Sequence, residues 1–316
     1  MVALLTLLFC KPDIRDEIIA TQTRLGKIGL PATKADLAKL DPSPSEVIAD
    51  KKFASLANSV RPLATARYQK QPLPMLDWDR LTESIDNLTS RPTSFFAVKT
   101  GDLMSFPRYS RGKTLAKELT TQAELDAKSG KKTRCLKLIR TAHALSTHIS
   151  WNQEFVGVFS GRAAFGMYVG SIKRVAKTQP QWLTNHPELL RPLTNSNFDL
   201  LFKREYLSTL KTVGNTFPLE KETLPRGKRE LEALLTGLQN WELLYPKIRS
   251  AKSWSEAARG YASVITKMKN IEVGTKFDDE TNQEKFTLTL DLLSDTAEID
   301  AKLKQMNSEL AAVGKR

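Results

Sequence analysis

The 316-residue chain contains few of the residue types that build disulfide-linked or metal-bound scaffolds. It has two cysteines and three histidines. Cys10 ends an apolar run and Cys135 lies on the apolar stripe of a predicted helix, so neither indicates a disulfide framework. The histidines and cysteines are scattered, and no spacing typical of a zinc site is present. We therefore expect the fold to depend on a hydrophobic core, which a chain of this length can bury.

Motifs of known catalytic chemistry are also missing. The sequence contains no GxSxG, HExxH or P-loop pattern. His143 and His148 lie about 140° apart around the axis of one predicted helix, so they do not form the one-face pair that metal ligation prefers. The sequence thus predicts no catalytic residue, no metal ligand and no cofactor. An enzyme without a recognisable motif remains an alternative.

Two further groups of residues have structural interpretations. Asp77 and Asp79 are an acidic pair of the kind used in acid and base catalysis, but nothing in the sequence places them in a cleft. Capping and turn roles are the favoured interpretation. Trp241, Trp254 and Tyr261 suggest an aromatic ligand surface, but the helical spacing of Trp241 and Tyr261 with their apolar neighbours favours core packing.

The first ten residues, MVALLTLLFC, are apolar and have no basic residues before them. Ten residues of helix span about 15 Å, half of a bilayer core. We interpret residues 1–10 as the end of a truncated membrane anchor, with an atypical signal sequence and an ordinary buried first helix as alternatives. The first two interpretations place the remainder of the chain outside the cytoplasm.

Residues 11–107 are predicted to form an N-terminal helical region. Prolines and glycines divide its apolar periodicity into separate elements. The predicted elements are a helix from Pro12 to Ile28, a short helix capped by Thr33 and Asp36, a helix from Ser45, an irregular stretch to Pro74, and a helix from Trp78 to Leu88. Residues from Phe95 to Pro107 are predicted to form a long loop or a pair of short extended pieces.

A central helical-hairpin region is predicted over residues 108–270. Its hairpin runs from Arg111 to Ser150 and turns at Ser129-Gly130. Ala123, Cys135, Ile139 and Ala142 fall at the small and apolar positions of a tetratricopeptide repeat, so the hairpin resembles one such unit. It departs from that motif at Leu119 and Asp126, and no second copy follows at a fixed period.

The hairpin is followed by the most apolar long stretch of the chain, Trp151 to Lys177. Its apolar residues recur at helical spacing, so we expect a buried helix with Gly161 at a close contact with a neighbouring helix. The alternative is a membrane span over Phe155 to Ile172, which Arg162 disfavours because it would lie near the centre of the bilayer.

The C-terminal half is predicted to contain helices over about 198–213 and 228–244 and one beginning at Ser253. Residues 271–316 are predicted to form a β-hairpin, with alternating apolar residues from Ile271 to Leu290, and a helix from Ser294. The predicted fold is therefore mainly α: packed helical hairpins, solenoid-like or bundled, with one small β-hairpin. This arrangement behind an apolar N-terminus resembles helical envelope proteins of unknown function found in several bacterial phyla, which implies a location in the bacterial cell envelope.

Basic residues exceed acidic ones by 48 to 35, giving a net charge of +13 and a pI near 9.6. Such a charge favours an anionic partner. The candidate anion-binding residues on the central hairpin are Lys113, Lys117, Lys128, Lys131, Lys132, Arg134, Lys137 and Arg140, with Arg111 beside them. We expect a noncatalytic protein, membrane-anchored or exported, that binds a protein or an anionic envelope component. A cytoplasmic nucleic-acid-binding protein is the alternative. The same charges are also typical of a solvated helix face that keeps the protein soluble.

Overall fold

The computed structural model describes residues 13–91, 106–151, 155–184, 186–193, 198–212, 217–268 and 296–314. These residues are mainly helical, as the apolar periodicity predicts, and they contain no β-strand. The β-hairpin predicted over residues 271–290 and the loop predicted from Phe95 lie outside the described residues, as do residues 1–10. Within the described ranges, no helix is long and apolar enough to cross a membrane.

The helices are numbered in chain order. They are α1 (Ile14–Lys27), α2 (Lys34–Leu40), α3 (Pro44–Ser59), α4 (Arg61–Gln69), α5 (Trp78–Thr89), α6 (Phe106–Lys128), α7 (Lys132–Ser150), α8 (Phe155–Thr178), α9 (Gln181–Thr184), α10 (Phe198–Thr212), α11 (Lys228–Ile248), α12 (Trp254–Ala262) and α13 (Thr296–Gly314). Short 3₁₀ turns occupy Pro187–Leu190, Lys221–Thr223 and Ile265–Lys267.

The chain forms two compact units, and each is discontinuous in sequence. In the first, described residues 13–40 join residues 198–268; in the second, residues 41–193 join the C-terminal helix. The sequence-based division into 11–107, 108–270 and 271–316 was linear along the chain and has different boundaries. Amphipathic periodicity shows which face of a helix is buried but not which distant helix covers it, so a linear division cannot find such pairings.

The first unit is built on α11, whose apolar face packs against α1. Ile18 and Leu25 of α1 and Leu238 of α11 are fully buried. At the edge of this contact, Arg24 Nε and Glu242 Oε1 lie 2.6 Å apart. Segments about 200 residues apart in sequence therefore share one core.

The second unit is centred on α6, α7 and α8, which pack against one another in pairs. The predicted hairpin and the predicted central helix are both confirmed, and Phe165, Tyr168 and Ile172 of α8 are fully buried. Gly161 lies where expected, because a Cβ at this position would be 2.7 Å from Ser150 Cα of α7. Close approach of α7 and α8 thus requires a glycine.

Residues Arg61–Gln69 correct the sequence prediction, because they form a helix rather than part of an irregular stretch. Pro62 lies in the first turn, where its missing N–H removes no intrahelical hydrogen bond. Leu63 and Ala66 are buried on one face, at a spacing of three residues. Pro62 is therefore compatible with the helix.

The C-terminal helix α13 packs against the second unit through a short apolar face. Leu303 and Leu310 are buried. Lys173 Nζ lies 3.0 Å from Glu309 Oε2, and the Leu193 N–H donates to Asn307 Oδ1 at 3.3 Å. The helix predicted from Ser294 is confirmed from Thr296 onward.

Candidate anion-binding surface

The candidate surface begins at the turn between α6 and α7. Gly130 has a φ of 73°, a left-handed conformation that glycine adopts without strain. The Lys131 N–H donates to the Asp126 carbonyl at 2.9 Å, which closes the end of α6. The backbone therefore reverses within a few residues and places the start of α7 beside the end of α6.

The start of α7 has an unusual local composition. Lys131 occupies the N-cap position without a side-chain cap, and the first turn contains no acidic residue. The first N–H groups of a helix have no intrahelical acceptor, and the helix dipole adds partial positive charge at this end. The cap position thus has lysine where Ser, Thr, Asp or Asn is preferred. The sequence Lys-Ser-Gly-Lys-Lys-Thr-Arg, residues 128–134, contains this signal.

Three lysines around this turn are exposed: Lys128, Lys131 and Lys132. We call them the turn lysines. No carboxylate of the described residues pairs with any of them. Their ammonium groups are consequently available to an anion that approaches the start of α7.

Arg134 has a different role from the one predicted. Its Nε and its Nη2 each donate to a carboxylate oxygen of Asp126 at 2.6 Å, and the Asp126 side chain is only 2% exposed. Gln122 Nε2 donates to the same carboxylate at 3.0 Å. Hydrogen bonding to Asp126 raises the pKa of Arg134. Arg134 therefore ties the two arms of the hairpin together through its Nε and Nη2 atoms.

Lys137 and Arg140 are also engaged within the second unit. Lys137 Nζ donates to the Asp79 carbonyl at 3.3 Å. Arg140 Nη2 lies 3.2 Å from Glu188 Oε1. The candidate cations therefore fall into two groups. Arg134, Lys137 and Arg140 bind other groups of the protein, whereas the turn lysines do not pair with a carboxylate of the described residues.

Lys113 and Lys117 lie on α6 at a distance from the turn. Lys117 and the neighbouring Arg111 are exposed, whereas Lys113 is half-buried. At 1.5 Å per residue, Lys117 and Lys128 are separated by about 16 Å along the helix axis. One compact anion would not contact both, but an extended polymer has that reach.

The histidines of α7 bind backbone carbonyl groups. His143 Nε2 lies 3.0 Å from the Arg191 carbonyl oxygen, and His148 Nε2 lies 2.8 Å from that of Thr89. Burial lowers the pKa of both imidazoles, that of His148 to about 4. Both histidines are therefore hydrogen-bonded helix residues, which is one of the two structural roles, solvated or hydrogen-bonded, that the sequence favours over metal ligation. No group of three or more His, Cys, Asp or Glu side chains in the described ranges is arranged to hold a metal ion.

The other sequence candidates have structural roles. Asp77 is the N-cap of α5, where its Oδ1 accepts the Arg80 N–H at 3.0 Å. Trp241, Trp254 and Tyr261 are buried in the core of the first unit, as predicted.

Sequence reasoning missed one half-buried carboxyl group. Asp86 accepts a 2.7 Å hydrogen bond from Thr141 Oγ1, and burial raises its pKa. Asp86 lies next to Ile85, beside the apolar stripe of α5, and this position gave no signal of the contact.

Comparisons with protein-family models, with curated proteins and with solved structures each find no significant match for this chain. The described residues therefore provide the only classification: this is a mainly helical protein whose central hairpin carries exposed lysines at an uncapped helix start.

Proposed function

We propose that this chain is a noncatalytic binding protein of the bacterial cell envelope, anchored or exported through its N-terminal segment, that binds an anionic polymer or an acidic protein surface. The observation that carries the proposal is the group of turn lysines beside the uncapped start of α7. The apolar run of residues 1–10 supports attachment or export, and the net charge of +13 favours an anionic partner.

Binding at this surface needs no chemical step. Ammonium groups and first-turn N–H groups both favour oxyanions such as phosphate, sulfate and carboxylate. Because the lysines are exposed, their attraction is screened by salt. A polymer with repeated charges fits this surface better than a small ion, since it also reaches Lys117 and Arg111 along α6.

Finer features belong to the same proposal. Ala123, Cys135, Ile139 and Ala142 are buried between the arms of the hairpin, which supports a tetratricopeptide-like packing of α6 and α7. The β-hairpin over residues 271–290 stays a prediction from the alternating sequence. The proposed arrangement of the helical hairpins is a solenoid-like array or a bundle.

The rival function is nucleic-acid binding in the cytoplasm, which the same lysines and the same net charge favour. The two functions differ in which polyanion binds most tightly. An envelope protein should prefer a wall polymer such as poly(glycerol phosphate), whereas a nucleic-acid-binding protein should prefer single-stranded DNA or RNA of equal charge.

The test is equilibrium binding of the full chain to fluorescently labelled poly(glycerol phosphate), heparin and single-stranded DNA at about 50 mM salt, where phosphate contacts are strong. We expect the triple variant Lys128→Gln, Lys131→Gln, Lys132→Gln to bind at least about 10-fold more weakly than the wild type. Tightest binding to poly(glycerol phosphate) supports the envelope function, and tightest binding to DNA supports the rival.

A charge-matched control removes three exposed lysines elsewhere on the second unit, namely Lys51, Lys52 and Lys177. If both triple variants lose affinity equally, binding reflects net charge and the turn is no site. If the wild type binds none of the three polymers, the proposal that the turn lysines bind an anionic polymer is wrong.

A further inference from the structure

A cluster of exposed apolar side chains lies in the segment between α4 and α5. Tyr68 is 90% exposed, Leu73 is 47% exposed and Met75 is 103% exposed. They are three of the seven large apolar side chains that are exposed among the described residues, yet they fall within eight positions of the sequence. Clustered apolar exposure, unlike single exposed residues, indicates a contact surface.

The contacts of α5 place this segment at the same end of the second unit as the turn lysines. Lys137 Nζ donates to the Asp79 carbonyl at 3.3 Å, near the start of α5. Near its end, the Thr89 carbonyl oxygen lies 2.8 Å from His148 Nε2. Later residues of α5 therefore contact later residues of α7, and the two helices run parallel. The segment that precedes α5 consequently lies toward the start of α7, where the turn lysines are.

The two features are close enough to contact one extended surface together. Lys132 is five residues before Lys137, about 8 Å along the axis of α7. Met75 is four residues before Asp79, at most about 14 Å even for a fully extended chain. With the contact between Lys137 and Asp79, the turn lysines and the apolar segment are at most about 35 Å apart.

The segment is fixed at both ends and holds its side chains outward. The Gln71 N–H donates to the Ala66 carbonyl at 2.9 Å, and Leu76 packs against the core. Pro72 and Pro74 fix φ near −65° and restrict the preceding residues to extended conformations. Because both prolines lack an N–H group, the segment has fewer backbone donors to remove from water when it enters an apolar environment.

Exposed charges at this end are mainly positive. Over residues 68–80 and 128–132, the exposed carboxylates are those of Asp77 and Asp79, and the exposed cations are Lys70, Arg80, Lys128, Lys131 and Lys132. Apolar side chains beside an excess of cations match a surface that has anionic groups directly above hydrocarbon, which is an anionic lipid bilayer.

Other anionic partners match only one of the two features. A dissolved polyanion such as poly(glycerol phosphate) carries charge but offers no hydrocarbon to Leu73 and Met75. A standard protein interface buries about 800 Å² per partner, more than three side chains supply. A bilayer requires no such minimum, because binding strengthens with each apolar side chain that enters it and with each cation near its surface.

We propose that this end of the second unit binds the surface of a bilayer that contains anionic phospholipid. Leu73 and Met75 enter the boundary between headgroups and acyl chains, Tyr68 lies at the level of the headgroups, and the turn lysines contact lipid phosphates. This inference rests on the proposed function, because it names an anionic lipid as the partner of the turn lysines.

The experiment compares a lipid surface with a dissolved polyanion. Binding of the full chain is measured to vesicles of phosphatidylglycerol and phosphatidylcholine in equal parts, to vesicles of phosphatidylcholine alone, and to heparin. The wild type is compared with the Leu73→Ser, Met75→Ser double variant and with the glutamine variant of the three turn lysines. Ile48→Ser is the matched control, since Ile48 is 53% exposed and lies near Ser45, whose carbonyl accepts Arg91 Nη1 beyond the far end of α5.

We expect the double variant to bind the anionic vesicles at least about 10-fold more weakly, because two apolar side chains no longer leave water. Its affinity for heparin should equal that of the wild type, which also shows that it is folded. The turn-lysine variant should lose at least about 10-fold on both, since each lysine near an anionic surface strengthens binding about five-fold. Ile48→Ser should match the wild type on both, and phosphatidylcholine alone should bind all chains more weakly.

A second measurement locates the segment directly. The environment-sensitive fluorophore NBD is attached to Met75→Cys or to Ile48→Cys in a chain with Cys10→Ser, in which the remaining Cys135 is buried. With the anionic vesicles, NBD at position 75 should become brighter and shift to shorter wavelength, and NBD at position 48 should not change. All chains retain the apolar character of residues 1–9, so a contribution of that segment to binding does not distinguish the two positions.

The outcomes separate this inference from the proposed function. If the double variant binds the anionic vesicles as the wild type does, or NBD at position 75 stays in water, the bilayer inference is wrong, while heparin binding that depends on the turn lysines leaves the proposed function intact. A wild type that binds neither vesicles nor heparin overturns both. Self-association in sedimentation that the double variant abolishes would assign the segment to a second copy of the chain and overturn the bilayer inference alone.

Discussion

The contact between α7 and α8 allows a sharp test of the packing, because two glycines of α8 should respond in opposite directions to the same substitution. In Gly161→Ala the new Cβ would overlap Ser150 of α7, with Cα only 2.7 Å away. The Ser150 backbone cannot rotate away, so the two helices must separate. In Gly170→Ala the nearest atom is Arg174 Nη1 at 3.3 Å, the end of a flexible side chain.

The expected magnitudes follow from two opposing effects. Replacing glycine by alanine within a helix stabilises by about 1 kcal/mol. Overpacking a helix contact costs about 1–3 kcal/mol, and a clash with backbone atoms should lie at the upper end. Gly161→Ala should therefore lower the free energy of unfolding by about 1–2 kcal/mol. Gly170→Ala should raise it by about 0.5–1 kcal/mol.

Native-state hydrogen exchange of peptides from α7 and α8 is the appropriate assay, because it reports the opening of this region without assuming that both units unfold together. Faster exchange in Gly161→Ala and slower or equal exchange in Gly170→Ala are predicted. If Gly161→Ala exchanges as slowly as the wild type, α7 and α8 do not approach as closely as described, and the packing argument fails.

Three further predictions concern the second unit. Arg134→Leu leaves the Asp126 carboxylate buried without its guanidinium, so we expect a loss of about 3 kcal/mol in denaturant unfolding. Burial lowers the pKa of His148 to about 4, below its unfolded value near 6.5. Above about pH 6.5 the ring is neutral in both the folded and the unfolded state, so the fold keeps its full stability. As the pH falls from about 6.5 to about 4, the unfolded state binds the proton more readily, and on the order of 3 kcal/mol of the free energy of unfolding is lost. His148→Gln should flatten this part of the stability profile. Ser43→Ala removes the oxygen that accepts the Glu46 N–H at 3.3 Å and should cost about 1 kcal/mol, measured as faster exchange in the first turn of α3.

Each of these has a contradicting outcome. If Lys131→Gln destabilises as much as Arg134→Leu, the ion pair is not what holds the hairpin. An unchanged pH profile in His148→Gln would assign the acid sensitivity to other groups, with His143 as the next candidate. Unaltered exchange at the start of α3 would mean that the Ser43 cap is not formed in solution.

Local features were predictable from the sequence because their causes are local. The stripe of α8 and the turn at Gly130 follow from periodicity and turn chemistry. The cap formed by Thr33 and Asp36 is present, with the Asp36 N–H donating to Thr33 Oγ1 at 3.2 Å. The close contact at Gly161 was predicted because glycines in a buried helix lower its propensity and require a packing reason.

The remainder depends on contacts between elements. Nothing local indicated that α1 buries its face on α11, or that α13 packs against the unit containing α8. For the candidate surface, a list of cations could not separate Arg134 from Lys132, because the difference lies in Asp126 on the facing arm. The helix α4, predicted as part of an irregular stretch, contains Pro62 in its first turn, where a proline is compatible with a helix.

Whether the turn lysines bind a polyanion is decided by the salt dependence of binding. For a single-stranded polyanion, each neutralised phosphate contributes about 0.7 to the slope of log K against log salt. If all three turn lysines contact the polymer, the slope of the Lys128, Lys131 and Lys132 glutamine variant should be about 2 units shallower than that of the wild type. The Lys51, Lys52 and Lys177 control should match the wild type. Equal slopes for the wild type and the turn variant would contradict the claim, whatever their affinities.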